Sequence, residues 1–525
     1  MKLGAAGRRD VLTAAIAGIG TALQPGLSRA AASAEADNEA RIRAMTPELE
    51  AVIGRGMKAY DVPALAIGIV ARDRLAYARG FGVRSRQSGG QVGTRTVFQI
   101  GSATKGFLAT TLALMVERGR LRWDDRIVDL DPGFALADPW VTREFRVFDL
   151  LAQRSGLPPY ANDALGIMGL DETALIRSLR YVEPVSSFRS TFAYTNVTHM
   201  LAGRIVAKAA GAADWNAVLQ AELLGPLGMA QSTTTAAAIE GAPDHAEGYR
   251  WAPSGSVEVP FTQIFPYDFG GAGDINSTVE DMANWLRLQL GRGSVAGHRL
   301  VSAESLAATH TPKVAVSATQ SYALGWVVRQ TPNGTVIWHN GGTSAFGSYV
   351  GFAPDHDAGV VVLTNATNVG LPDAIGAWTM DRLLGNPDVD YVTMVLKQAV
   401  AGFERDAALF TRPTMPRPAP PLARLAGRFD NPGIGRADVA VEGAGLVMTL
   451  AACGARLAFD PWDGGVFTVR LLGDGRFAAI AANLGPQPSG FAQFQIGKDG
   501  RLDRLLLSMS DGQAYPFQRT ALSRG

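Results

Sequence analysis

Ser102-Ala103-Thr104-Lys105 sets an alcohol and an amine three residues apart. On a helix, positions i and i+3 share a face. The Ser102 hydroxyl and the Lys105 amine would then meet at the first turn. A serine hydroxyl is a poor nucleophile until a neighbour takes its proton. A lysine does this once burial lowers its pKa from about 10.4 toward neutrality. A helix N-terminus also favours the negative charge that develops. This is the only Ser-x-x-Lys in the chain, and its setting suits it. The β-like run Phe98-Gln99-Ile100 and then Gly101 lead into it. A helix is predicted over 102–118, apolar on one face through Phe107, Leu108, Leu112 and Met115.

Two further patterns carry usable chemistry. Tyr194-Thr195-Asn196 opens an apolar run predicted as a helix over 197–209. A phenol beside a charged lysine is drawn toward phenolate and can shuttle protons. Asn196 offers both a donor and an acceptor, suited to holding a substrate amide. Read alone, the segment is equally an ordinary helix start with a packed aromatic. Trp338-His339-Asn340-Gly341-Gly342 ends a predicted strand. Its glycines let a substrate backbone approach an edge strand. The Gly342 N–H and the Ser102 N–H would together form an oxyanion hole. His339 adds a polar or cationic group beside it. Read alone, this segment is equally a surface turn.

In the order Ser-x-x-Lys, Tyr-x-Asn, His-x-Gly, the chain resembles the serine β-lactamase and penicillin-binding-protein superfamily. Within it, the chain is most similar to the class C β-lactamase-like branch, which also holds D-amino-acid peptidases, short-chain esterases and amide hydrolases. Thr96-Val97-Phe98-Gln99-Ile100-Gly101-Ser102 looks like that branch's lead-in to its nucleophile. Leu150-Leu151-Ala152-Gln153-Arg154-Ser155-Gly156-Leu157-Pro158 and Ala272-Gly273-Asp274-Ile275-Asn276-Ser277 resemble two more of its signatures. The similarity runs over roughly 51–384.

The resemblance implies Ser102 as the acylated nucleophile, Lys105 and Tyr194 sharing base duty, and Asn196 binding substrate. His339 would stand where Lys-Thr-Gly members carry lysine. The implied activity is hydrolysis of an amide or ester through an acyl-enzyme, with short or D-residue-containing peptides the leading substrates. A carboxylesterase, a β-lactamase and a slow-turnover penicillin-binding sensor are the alternatives. Two departures matter. Position 153, commonly His in the branch, is Gln153, and His339 replaces a permanent cation, which weakens the case for a dedicated β-lactamase.

Composition excludes other classes. With 49 basic against 48 acidic residues the net charge is +1, so neither nucleic acid nor an anionic membrane is favoured as a partner. The six histidines are scattered, and no His-Glu-x-x-His or cysteine pair is present, so no metal or other cofactor is expected. Asp355-His356-Asp357 reads as a solvated hairpin turn. The lone Cys453 reads as a small buried residue in a strand-like stretch over 450–457. The expected partner is a small-molecule or short-peptide substrate, with self-association open.

The chain's 525 residues call for two or more domains. Residues 1–34 read as a secretory signal. Arg8-Arg9 precedes a short apolar stretch and then Ala30-Ala31-Ala32-Ser33-Ala34, a pattern of twin-arginine export to the periplasm or beyond. Cleavage and retention as an anchor both remain open. No span of the chain after the signal is expected to cross a membrane.

Residues 35–411 read as an α+β catalytic domain. A helix over 39–60 and a hairpin (64–70 and 75–83, turning at 72–74) stand at its start. Strands over 324–329, 335–339, 348–353 and 359–365 and a helix over 373–384 stand at its end. Helices lie between, one opened by a capping box at Ser277 and Glu280. First and last strands are expected to share an antiparallel sheet flanked by helices. The Pro-rich stretch 412–421 reads as a stiff linker. Residues 422–525 read as an all-β unit without a strong helix, a barrel or a sandwich. Gly427-Arg428-Phe429-Asp430-Asn431-Pro432-Gly433 gives it a resemblance to a lipocalin-like domain. It is expected to cap the cleft or mediate oligomerisation.

Overall fold

The computed structural model describes residues 38–498 and 501–520; the signal-like residues 1–34 lie outside them. Nine strands form one antiparallel sheet. They are β1 (Ala64–Ala71), β2 (Arg74–Ser85), β3 (Gly89–Gln91), β4 (Val314–Ala315), β5 (Gln320–Tyr322), β6 (Val327–Thr331), β7 (Gly334–Gly342), β8 (Gly347–Ala353) and β9 (Ala358–Thr364), in the order β4-β5-β6-β7-β8-β9-β1-β2-β3. The N-terminal hairpin thus pairs with the last strand, Leu65 opposite Thr364 through Ala71 opposite Ala358. This is the predicted arrangement.

β1 is buried on both faces, which explains why it is apolar throughout instead of alternating. On one face Leu65, Ile67 and Ile69 pack with three helices: α1 (Asn38–Ala59), α6 (Leu371–Leu384) and α7 (Tyr391–Leu409). On the other, Ala66 and Val70 belong to a core shared with α2 (Thr104–Glu117), α4 (Val197–Ala210) and α5 (Val279–Leu290). A short helix, α3 (Asp163–Ile167), lies in the loops of this second layer. The cap of α5 falls one residue later than predicted. Ser277 pairs in a short strand with Phe98, and the Thr278 side chain accepts the Asp281 N–H.

The C-terminal unit is a closed eight-stranded antiparallel barrel. Its strands are β10 (Gly427–Asn431), β11 (Gly435–Glu442), β12 (Gly445–Leu450), β13 (Arg456–Asp463), β14 (Val466–Leu471), β15 (Gly490–Ile496), β16 (Leu502–Met509) and β17 (Ala514–Arg519). Alternate residues fill the interior, as Phe467, Val469 and Leu471 do in β14. Phe494 meets Phe467, Phe459 and Phe429 there at centroid distances of 5.5, 6.3 and 6.2 Å.

Two expectations fail here. The predicted strand at 477–482 is a helix, α8 (Ala478–Leu484), consistent with its four alanines. Cys453 sits half-buried in the turn after β12, not in a strand. The segment 412–421 carries no helix or strand, and Arg417 is tied along the barrel to Asp463.

Candidate active site

The turn that carries Ser102 is held by its neighbours. Phe98 and Gln99 pair with Ser277 and Asn276, and Ile100 N–H donates to the Ile275 carbonyl at 2.9 Å. A single 3-10 turn, Gly101–Ala103, then precedes α2, so Ser102 sits just before the regular helix predicted to begin with it. Gly101 is required twice over. Its φ is +52°, and a Cβ there would stand 2.8 Å from Gly342 N. Gly341 is packed harder still, since its Cβ would lie 1.8 Å from the Ile100 carbonyl oxygen. The end of β7 therefore rests directly on the turn that carries Ser102. β7 is interior to the sheet, but β6 pairs with it only from Gly334 to Trp338. Residues 339–342 are strand-bonded to β8 alone, so the open edge expected for a substrate backbone exists locally.

Lys105 is completely buried. Its Nζ lies 3.1 Å from Ser102 Oγ, 2.7 Å from Asn196 Oδ1 and 2.7 Å from the Ala272 carbonyl oxygen. Burial lowers its pKa to about 7, against the opposing pull of Asp163. A neutral amine has two N–H donors and one lone pair. Asn196 Oδ1 and the Ala272 carbonyl can only accept, so they take the two N–H groups. The lone pair is left facing the Ser102 hydroxyl.

Tyr194 is also buried, with its ring centroid 4.8 Å from Lys105 Nζ. Its hydroxyl is near Ser102 but reaches no hydrogen bond of full geometry. Burial raises its pKa well above 10, and nearby Ser102 offsets only part of that. The expectation of a phenolate is corrected: in a dry site the neutral phenol wins.

Asn196 links two other groups of the site. Both ends of its amide are engaged, Oδ1 by Lys105 and Nδ2 by Asp163 Oδ2 at 2.6 Å. It orients the lysine. His339 is buried, and its pKa falls to about 3, first by desolvation and then by Lys105. Its Nδ1 lies 2.5 Å from the Asn340 carbonyl, which only accepts, so the proton is on Nδ1. Nε2 then accepts from Tyr322 Oη at 3.0 Å. The group beside the site is therefore neutral, and the cationic alternative is corrected.

Two participants escaped the sequence, and a third, Gln153, was singled out there without its structural part. Asp163, in an unremarkable loop sequence, grips Asn196. The Ala272 carbonyl is delivered to Lys105 by a segment pinned where the Ile275 N–H meets Thr104 Oγ1 at 3.3 Å. Gln153 adopts a left-handed φ of +53° and brackets Tyr194. Its side chain accepts Thr195 N–H at 2.6 Å and its carbonyl accepts Ala193 N–H at 2.8 Å. A narrow groove beside Gln99 is lined by Phe261, Phe265, Ser344, Phe346 and, from α8 of the barrel, Asn483. Among the described residues no group of His, Cys, Asp or Glu could hold a metal ion. No helix there is long and apolar enough to cross a membrane.

This layout, a helix-borne Ser-x-x-Lys with a glycine-rich strand end laid across it, defines a β-lactamase-type fold and site. The chain belongs to the β-lactamase family, whose profile matches residues 49–383. Residues 411–519 match a domain of unknown function, DUF3471. Unguisins hydrolase ungD of Aspergillus violaceofuscus is 24% identical over 84% of this chain and 86% of its own. Penicillin-binding protein 4 of Amycolatopsis lactamdurans is 28% identical over 71% of this chain and 94% of its own. Among solved structures, the octameric penicillin-binding protein homologue from Pyrococcus abyssi aligns at a TM-score of 0.59 and 22% identity, over 90% of this chain and 99% of that one. A β-lactamase from Sulfitobacter sp. EE-36 aligns at 0.55 and 23%, over 67% and 98%. These two structures share its fold.

Proposed function

We propose that the chain is a serine hydrolase that cleaves amides or esters through an acyl-enzyme. The observation that carries this is the saturation of Lys105: two fixed acceptors use its N–H groups and aim its lone pair at Ser102. Ser102 Oγ attacks the substrate carbonyl while Lys105 Nζ takes the hydroxyl proton. Electrons move onto the carbonyl oxygen, which the Ser102 and Gly342 N–H groups stabilise. Tyr194, protonated at rest, gives its proton to the leaving group, recovers one from Lys105, and relays the same proton path for the water that releases the acid. Relatives named as a hydrolase and a penicillin-binding protein support the reading.

The site favours substrates without a carboxylate to be paired beside the scissile bond, because neutral His339 supplies no fixed cation there. Short peptides or D-residue amides and simple esters fit this better than β-lactams. Export through the twin-arginine pattern and self-association belong to the same proposal. The test is a panel of D-amino-acid amides, p-nitrophenyl esters and nitrocefin. Turnover of amides or esters above nitrocefin supports the reading. Fast nitrocefin turnover makes the protein a β-lactamase, and a one-equivalent burst followed by silence makes it a sensor.

A further inference from the structure

The C-terminal barrel reaches the catalytic unit at Asn162 and Ala164, which flank Asp163. The turn between β16 and β17 carries Asp511, which is 4% exposed. Asp511 Oδ2 accepts the Ala164 N–H at 3.3 Å and the Tyr515 hydroxyl, while Oδ1 accepts the Gln513 N–H at 2.9 Å. Tyr515 Oη also lies 3.4 Å from Asn162 Oδ1, and Asn162 Nδ2 donates to Ser178 Oγ at 2.6 Å. The barrel therefore grips the residues on either side of Asp163. Further along, Arg476 of the barrel donates to the Gly169 carbonyl at 3.1 Å. α3 is only five residues long, too short to hold itself as an isolated helix. Asn162 at its start has a left-handed φ of +63°, which asparagine adopts more readily than most residues.

We propose that the β16–β17 turn is a positioning device for the lysine base: it fixes Asn162–Ala164 so that Asp163 holds Asn196 against Lys105. The chain of contacts runs from Asp511 and Tyr515, through Asp163 Oδ2 and Asn196 Nδ2 at 2.6 Å, to Asn196 Oδ1 and Lys105 Nζ at 2.7 Å. The barrel contacts and the Asn196–Lys105 bond are buried, and the Asp163–Asn196 bond between them is part-buried; a polar group displaced from a buried bond finds no substitute partner. This gives the barrel a part in acylation. The inference rests on the reading of Lys105 as the base of Ser102.

The groups that act on the Lys105 charge are Asp163 on α3, His199 on α4 and His339 on β7. Tyr194 lies against it and stays a neutral phenol, and both imidazoles are held neutral by burial. Asp163 is thus the charge whose displacement Lys105 would feel. Losing it removes an influence that raises the lysine pKa, so the acid limb of activity should move to lower pH.

The experiment measures the rate of Ser102 modification by a fluorophosphonate across pH, on the full chain. Asp511→Ala and Tyr515→Phe are expected to react about tenfold or more slowly, since small misplacements in a catalytic constellation cost up to about a hundredfold. Their acid limb should lie below that of the parent. Asp511→Asn, which keeps an acceptor for Ala164, should recover most of the rate. Arg470→Ala, on an exposed ion pair of the barrel, should react as the parent does. Parent-like rates and an unmoved limb in folded Tyr515→Phe would overturn the inference, as would equal slowing by Arg470→Ala. If Asp511→Ala does not fold, Tyr515→Phe, which removes one oxygen, decides. A parent chain that is never modified at Ser102 refutes the proposed function instead.

Discussion

Lys105 Nζ stands 3.1 Å from Ser102 Oγ inside a site where the lysine is wholly buried. In the proposed mechanism the neutral amine is the working form, and the lysine pKa is brought down from 10.5 to about 7. Activity should therefore rise with pH through an acid limb near 7, read from kcat/KM on a p-nitrophenyl ester. Lys105→Met should lose about 10²–10⁴-fold, the usual worth of a positioned base. Lys105→Arg should not recover it, because a guanidinium stays protonated.

Tyr194→Phe separates stability from activity. The Tyr194 hydroxyl is buried near Ser102 without a hydrogen bond of full geometry, so it adds little to stability. Removing it should leave denaturant stability unchanged or raise it by about 1 kcal/mol. The same variant should lose about 10²–10⁴-fold in kcat while the acid limb of Lys105 remains. Loss of stability together with full activity would show that the phenol only packs.

Gly341→Ala tests the contact between the β7 end and the nucleophile turn. Its Cβ would fall 1.8 Å from the Ile100 carbonyl, so strand and turn must separate. The expected cost is about 1–3 kcal/mol in unfolding free energy. A loss of roughly a hundredfold in kcat/KM should accompany it, because Ser102 and Gly342 move apart.

Asp274 offers a pH-dependent stability test. It is buried, its main side-chain partner is Trp215 Nε1 at 3.0 Å, and desolvation lifts its pKa from 3.8 to about 7. The folded state thus holds this proton over a range where the unfolded chain has released it. Its contribution is intact below about pH 4 and is lost as pH rises through 7. Asp274→Asn keeps an acceptor for Trp215 and carries no charge. Urea unfolding should show it near parent stability at pH 4 and more stable at pH 8, by at most about 4 kcal/mol. A constant difference between the two pH values would contradict this.

Much of the catalytic unit was readable because the signals are local. The period-3.6 runs of α2 and α4, the hairpin at Arg72-Asp73-Arg74 and the glycines of Gly341-Gly342 each state their own geometry. Two kinds of information were not local, and one local signal was misread. Asp163 and the Ala272 carbonyl act through partners more than thirty residues away, and a backbone carbonyl carries no residue-type signature. The charge state of Tyr194 was misjudged, and that of His339 left open between polar and cationic, because sequence spacing does not report burial, which outweighs the nearby lysine. The 477–482 segment alternates little and is alanine-rich, so its helix was visible in propensity but overridden by the β pattern around it.

The most direct measurement is intact mass and peptide mapping after treatment with a fluorophosphonate. One adduct on Ser102, formed faster as pH rises through 7 and absent from a folded Ser102→Ala chain, is the expected result. An adduct on another serine, or undiminished modification of Ser102→Ala, would contradict the assignment of the nucleophile.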